Sequence, residues 1–217
     1  MGALELGLMA AMCWGFHDVC VRFISQKTPI SACIFVVLIV GLIFHICLMI
    51  PENNFSLITK TAFVYSSIAG IFFVIASFSL YYSFKRGPVR LVAPLIASYP
   101  ILSITWAIWI GTPVSILQVL AVIAIIFGVS IVAIMSDNSE DKMPPISKTI
   151  LTSLIAAAAF AVTFASGQAA AELSPHMSVT LITRIISILL CFCIIFVAGL
   201  SYWPNRTAIP WLIAMGC

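Results

Sequence analysis

The stretch "CWGFHDVCVRF", residues 13–23, places three ionisable side chains in a segment that is otherwise apolar. They are His17, Asp18 and Arg22. The surrounding run is long enough to cross a bilayer, where each ionisable group costs on the order of 3 kcal/mol on insertion scales. Such residues usually have a function or a partner, so their surroundings should reveal what the chain does.

The composition of the whole chain indicates a membrane protein. Of its 217 residues, 63% are hydrophobic and 8% are charged, whereas a soluble domain has about 25% charged residues. One globular core cannot hide so much apolar surface, so we expect the bilayer to be the solvent. The net charge is +3 and the charges lie mostly between apolar runs, which gives no support for nucleic-acid binding. None of the seven cysteines forms a C-x-x-C pair, so neither a disulfide framework nor a metal site is expected.

Apolar stretches of about 20 residues predict seven transmembrane helices and part of an eighth. The predicted spans are 3–25, 30–50, 61–84, 90–110, 115–135, 149–171 and 177–200, with an incomplete one at 207–217. The loops between them are short except for "SDNSEDKMPPISK", residues 136–148. This segment is polar and contains proline, so we expect it to link two units.

A repeat relates the two units. Shifting the chain by 146 residues superimposes the first predicted helix on the sixth without gaps, aligns Pro29 with Pro175, and aligns Lys60 with Arg206. With five spans in each unit the second copy would insert upside down, as in inverted-repeat secondary transporters. The predicted fold is therefore all-α, with an inverted repeat of a five-helix unit. The units are a first repeat at 3–135, the linker at 136–148, and an incomplete second repeat at 149–217. A complete second copy would need about 65 further residues, judged from repeat length.

The ionisable residues of the first helix allow two interpretations. Asp18 and Arg22 are four residues apart and can pair on one helix face, while His17 points about 100° away from Asp18. In the structural interpretation, Arg22 reaches the membrane interface and Asp18 neutralises it. In the functional interpretation, His17 and Asp18 line a polar cavity and contact a substrate or a proton.

Arg184, in "SVTLITRIISILL", has no acidic neighbour on its own helix. Its long side chain could reach the interface, meet a partner that faces the bundle, or bind an anionic substrate.

The stretch "RLVAPLIASYPILSITW", residues 90–106, predicts a broken helix. Pro94 and Pro100 each remove a backbone donor, so this span should be kinked or interrupted. Irregular backbone at membrane depth is tolerated where it lines a cavity or is buried in protein. Ser98 and Tyr99 would then offer hydroxyls to a cavity, unless the kink is purely structural. Trp14 lies deeper in its span than the other tryptophans and is expected to face the same cavity.

These stretches resemble the EamA domain of the drug/metabolite transporter superfamily. In its first-helix motif, Trp-Gly is followed seven residues on by a basic residue, and Trp14, Gly15 and Arg22 fit this pattern. The segment "YYSFKRGPVRLVAPLIASYPILSITWAIWIGTPVSILQVLAVIAIIFGVSIV" resembles the signature of the third to fifth helices. Arg184 follows Pro175 by nine residues and matches an arginine of the second copy.

The chain departs from the family pattern at two positions. Gly111 is followed by Thr112, where the family commonly has an acidic residue. Leu38, which the repeat makes equivalent to Arg184, is not arginine.

The resemblance implies a ten-helix secondary transporter, not an enzyme, that exports amino acids, drugs or other small metabolites by alternating access. We expect the substrate cavity to involve Trp14, His17, Asp18, Arg22, Ser98, Tyr99 and Arg184. The sequence has no ATP-binding motif, so no cofactor is expected, and a gradient of the substrate or of a coupled proton or cation would supply the energy. The expected location is the cell membrane, in particular the bacterial inner membrane, with the lipid bilayer as partner.

Two alternatives and the orientation stay open at this stage. A membrane enzyme could use His17 and Asp18 as acid and base, but it would need a further nucleophile or a metal cluster. A truncated fragment would transport nothing. The loops after the odd-numbered spans carry most of the lysines and arginines, so the positive-inside rule puts the N-terminus outside, whereas the family resemblance implies that it is inside.

Overall fold

The computed structural model describes residues 2–52, 58–135 and 146–216, and within these ranges the chain forms helices and no strand. The helices are α1 (Ala3–Ile24), α2 (Ile30–Glu52), α3 (Lys60–Arg86), α4 (Val89–Ile96), α5 (Tyr99–Trp109), α6 (Ile116–Met135), α7 (Ile146–Ala171), α8 (His176–Val197) and, after a 3-10 turn at Arg206–Ala208, α9 (Ile209–Gly216). The predicted all-α class is confirmed. The inverted relation between the two units stays a prediction, and most of the predicted linker lies outside the described residues.

Among the described residues, six helical segments are long and apolar enough to cross a membrane. They are Glu5–Ile24, Ile30–Ile50, Lys60–Arg86, Val89–Trp109, Ser147–Ala171 and His176–Val197. The predicted span 115–135 corresponds to α6, of which Ile116–Gly128 counts as a shorter apolar helix. Only 11% to 39% of each span is buried in the bundle, so most of its apolar surface is left for lipid. The chain is a multi-pass membrane protein.

Successive transmembrane helices cross the bundle in alternating directions, so their ends form two faces. At the N-terminal face, where α1, α3 and α8 begin, the backbone N–H of Thr59 donates to Ser174 Oγ at 3.1 Å. We call the face where these helices end the opposite face. There, Ser31 Oγ donates to the carbonyl of Ser201 at 2.6 Å. Both contacts join the start of a helix in the first half of the chain to a loop in the second half.

Helix α3 lies at the centre of the bundle and packs against α7 and α8. Its Gly70 has no side chain, which lets the carbonyl of Thr183 on α8 approach closely. Ser187 Oγ of α8 donates to the carbonyl of Gly70 at 3.0 Å. On the other side of α3, the Ser83 and Thr152 hydroxyls lie 2.7 Å apart and connect it to α7.

The predicted span 90–110 consists of two helices, α4 and α5, with Ala97 and Ser98 between them. Pro94 lies inside α4, and Pro100 lies in the first turn of α5. A proline is tolerated in a first turn because the N–H it lacks would have no helical partner there. The Ser98 hydroxyl donates to the carbonyl of Leu95 at 2.6 Å, so the interruption satisfies its own polar groups locally.

Candidate substrate cavity

A cavity of about 340 Å³ lies among the helices of the bundle. It is in the half nearer the opposite face, where α1, α3 and α8 end. Its volume falls in the range of about 300–1,000 Å³ that is typical of small-molecule sites. Helices α1, α2, α3, α7, α8 and α9 contribute to its wall. The residues that matter below are the polar His17, Ser77, Tyr81 and Arg184 and the aromatic Trp14, Phe73 and Phe160. We call this space the central cavity.

His17 connects two other side chains at the wall of the central cavity. Its Nδ1 lies 3.3 Å from Asp18 Oδ1, and its Nε2 lies 3.4 Å from the Tyr81 hydroxyl. A neutral imidazole satisfies both contacts when Nδ1–H donates to the carboxylate and Nε2 accepts from the tyrosine. The His17 and Asp18 side chains are 20% and 30% exposed. Asp18 is not part of the cavity wall, but it contacts His17, which is.

Arg22 lies away from the central cavity and does not pair with Asp18. Its Nη1 donates to the carbonyl of Phe84 at 2.6 Å, near the C-terminal end of α3. The last carbonyls of a helix have no helical partner and carry partial negative charge, so they attract a cation. The Asp18–Arg22 pair considered from sequence spacing does not form because this carbonyl site takes the guanidinium.

Arg184 lies in the interior of the bundle and forms no ion pair with any residue that the structure describes. Within the described part of the chain, its Nε is fully buried and has no hydrogen-bond partner. The guanidinium packs against Gly41, where an added Cβ would collide with it. Gly41 is the middle residue of α2, so the guanidinium lies near the mid-depth of the bundle and does not reach the membrane interface.

A second cavity, of about 500 Å³, lies between α3, α7 and α8 in the half nearer the N-terminal face. We call it the upper cavity. It shares three wall residues with the central cavity: Leu38, Phe73 and Arg184. Phe73 is the middle residue of α3, so the two cavities adjoin near mid-depth at these three side chains, which we call the partition.

Aromatic rings form much of the central cavity and the layer behind it. Trp14 meets Phe160 edge to face, with ring centroids 5.6 Å apart, and Phe160 stacks on Phe164 at 6.0 Å. Tyr99 contacts Phe164 at 5.2 Å. Ser98 and Tyr99 are absent from the walls of the two cavities. Tyr99, at the break between α4 and α5, thus packs against Phe164 behind the cavity, while Trp14 and Phe160 face the cavity itself.

Sequence reasoning missed Tyr81, Ser77 and Phe73. These residues are spaced four apart on α3, so they share one face of that helix. A serine and a tyrosine in such register inside an apolar span form a polar stripe that could have predicted a cavity wall.

The described residues of the cavity walls supply groups that can bind a ligand. They do not form an assembled catalytic centre. Within the ranges 2–52, 58–135 and 146–216, no three His, Cys, Asp or Glu side chains converge as metal ligands would. The chemistry available to the central cavity is hydrogen bonding, aromatic contact, the positive charge of Arg184 and the protonation of His17.

Comparison with known proteins agrees with this arrangement. The model of the EamA-like transporter family matches residues 1–134, which is more than half of the chain. No curated protein shows significant similarity to it. The resemblance inferred from the motifs around Trp14 and Pro100 is confirmed. The chain belongs to the EamA-like transporter family.

Proposed function

We propose that this protein is a secondary transporter that exports small metabolites, such as amino acids or drugs, by alternating access. The family to which the chain belongs is one of transporters, which supports this proposal over an enzyme. The observation that carries the proposed mechanism is the pair of cavities, one in each half of the bundle, that meet at Leu38, Phe73 and Arg184. The membrane we propose is the cell membrane, in particular the bacterial inner membrane.

Alternating access requires a site that two cavities can reach in turn, and the partition lies where the two cavities meet. A transported molecule must reach one site from each side in turn, and secondary transporters hold that site near the bilayer midplane. Here the two cavities adjoin at three side chains, and two of them, Phe73 and Arg184, can change rotamer without unfolding a helix. Rocking of two groups of helices about this partition would open one cavity as it narrows the other.

His17 supports coupling to protons. Histidine and acidic side chains inside a membrane form the proton relays of pumps and transporters. Protonation would turn Nε2 from an acceptor into a donor, so the Tyr81 hydroxyl would have to reorient. The charge on His17 is thereby linked to the shape of the cavity wall. If the coupled ion is another cation, the carboxylate of Asp18 is its candidate ligand.

A transport assay with paired tryptophan variants tests the proposal. Inside-out vesicles containing the chain receive a mixture of amino acids and other small metabolites, and mass spectrometry measures what accumulates in them. We expect accumulation above that of vesicles without the chain. Trp14→Ala should lower it about tenfold or more, since Trp14 lines the central cavity and an aromatic contact is worth about 1.4 kcal/mol. Trp211→Ala is the matched control, since Trp211 is exposed and lines neither cavity. Equal accumulation with and without the chain would refute transport.

A further inference from the structure

We propose that the transported molecule is a small organic monocarboxylate with an apolar or aromatic body, and that Arg184 binds its carboxylate at the partition between the two cavities. This inference rests on the proposed transport function and names the substrate class. It depends on the unpaired guanidinium, on the room that Gly41 leaves for it, and on the charges of the two cavity walls.

The guanidinium of Arg184 lacks the negative partner that a buried cation needs. A charge removed from water is costly unless it is paired and hydrogen-bonded. Among the described residues, the ion pair is between His17 and Asp18, and Arg184 takes no part in it. Its Nε also has no acceptor there. A carboxylate matches the planar fork of a guanidinium and can accept two parallel hydrogen bonds.

The depth of the guanidinium indicates which kind of anion it can meet. It lies beside Gly41 at the middle of α2, about half the hydrocarbon thickness away from the lipid headgroups. The phosphate group of a lipid in the bilayer therefore does not reach the guanidinium. Any side chain larger than hydrogen at position 41 would push the guanidinium away from this point, so the glycine holds open the position that the guanidinium occupies.

The charges of the walls favour an anion over a cation. Among the residues that line the two cavities, Arg184, His17 and His176 can carry positive charge, and no Asp or Glu is present. Two acidic residues lie nearby. Asp18 contacts His17, and the exposed Glu172 accepts a hydrogen bond from Gln168 at 3.3 Å. One arginine balances one negative charge, which points to a monoanion.

The rest of the central cavity suits an apolar body. Trp14 and Phe160 present rings to it, and Phe73 lies at the partition itself. A flat or aromatic group would pack against these rings while its carboxylate reaches Arg184. An amino acid would bring an ammonium group for which the described walls provide no carboxylate.

Calorimetry on the full chain in lipid nanodiscs tests the inference without relying on transport. The probes are 3-phenylpropionate, its neutral amide 3-phenylpropanamide, and phenylalanine. We expect 3-phenylpropionate to bind at least about tenfold more tightly than the other two, as a charge-assisted pair predicts. Arg184→Gln should remove this preference and Arg184→Lys should keep part of it. Arg206→Gln is the control, because Arg206 is an exposed arginine outside both cavities.

A second variant keeps the inference testable if Arg184→Gln does not fold. Gly41→Ala leaves the charge in place but moves the guanidinium from its position, so the preference for the carboxylate should fall about tenfold while the fold is retained. Gly128→Ala is the matched control, since no atom lies within 4 Å of a Cβ added there.

Four results separate the possibilities. Equal binding of the acid and the amide, or a preference that persists in a folded Arg184→Gln protein, overturns the inference. Transport of neutral metabolites that is independent of Arg184 also overturns it, while the transporter proposal stands. Carboxylate binding that depends on Arg184, with no transport of any metabolite, supports the binding site and refutes the transporter proposal.

Discussion

At the scale of single residues, two arginines in apolar helices have opposite surroundings. Arg22 donates to the carbonyl of Phe84 and is satisfied by a helix end. Arg184 lies at mid-depth, beside Gly41, with a buried Nε that has no acceptor among the described residues. The first arrangement stabilises the bundle, since it joins α1 to α3. The second leaves a charge available for a ligand, at a cost to the stability of the empty protein.

Replacing Arg22 should cost stability. Arg22→Met removes a hydrogen bond from a charged donor to a helix-end carbonyl, so the free energy of unfolding should fall by about 1.5–3 kcal/mol. Unfolding of the purified protein in detergent, followed by circular dichroism, measures this. Lys27→Met is the control, because the Lys27 side chain is exposed and also lies near the opposite face. Coincident unfolding curves for the unmodified chain and Arg22→Met would contradict the prediction.

At the scale of helices, the contact between α3 and α8 holds the partition together. Gly70 lets the two backbones approach, and the hydroxyls of Ser187 and Thr183 donate to carbonyls of α3 at 3.0 and 3.3 Å. Phe73 and Arg184 extend from these same two helices into the partition. The close packing of α3 on α8 therefore positions two of the side chains at which the cavities adjoin.

A methyl group at Gly70 should force these helices apart. The added Cβ would lie 2.7 Å from the carbonyl of Thr183 and 3.0 Å from Ile186 Cβ, and a backbone atom cannot swing away. We expect Gly70→Ala to lower the free energy of unfolding by about 1–3 kcal/mol. Gly128→Ala, with open space around it, should instead gain about 0.5–1 kcal/mol from helix propensity. A Gly70→Ala protein as stable as the Gly128→Ala protein would show that the packing is looser than described.

At the scale of the whole molecule, the bundle has two faces and an apolar perimeter. The loop contact between Thr59 and Ser174 marks the N-terminal face. The contact between Asn205 and the carbonyl of Lys27, at 2.5 Å, marks the opposite face. Lys27, Lys85, Arg86 and Arg206 lie at helix ends or loops of the opposite face. The positive-inside rule places that face in the cytoplasm.

Cysteine labelling of intact cells should distinguish the two faces. Leu173→Cys, in the exposed loop of the N-terminal face, and Lys27→Cys, at the opposite face, are treated with a membrane-impermeant maleimide, with the unmodified chain as baseline. One variant should react above baseline and the other should not. If charge decides the orientation, Leu173→Cys reacts; if the orientation implied by the family holds, Lys27→Cys reacts. Reaction of both variants would contradict the described topology.

The sequence by itself determined the class of protein and the positions of its helices. Runs of apolar residues must be buried in lipid, which makes composition and span length sufficient to predict the membrane helices. Local chemistry was also readable: Pro94 and Pro100 predicted an interruption in the span 90–110, where α4 and α5 are separate. The motifs around Trp14 and Pro100 were enough to identify the family.

Only the tertiary structure decided which side chains meet. Tyr81 is far from His17 in sequence, and Gly41 is far from Arg184, yet each pair is in contact. Helical periodicity predicts neighbours on one helix, such as Asp18 and Arg22, but an acceptor on another helix can compete for the same charge. The Phe84 carbonyl does so for Arg22. In a chain whose helices are apolar all round, the hydrophobic pattern does not indicate which side faces the bundle, so packing between helices decides it.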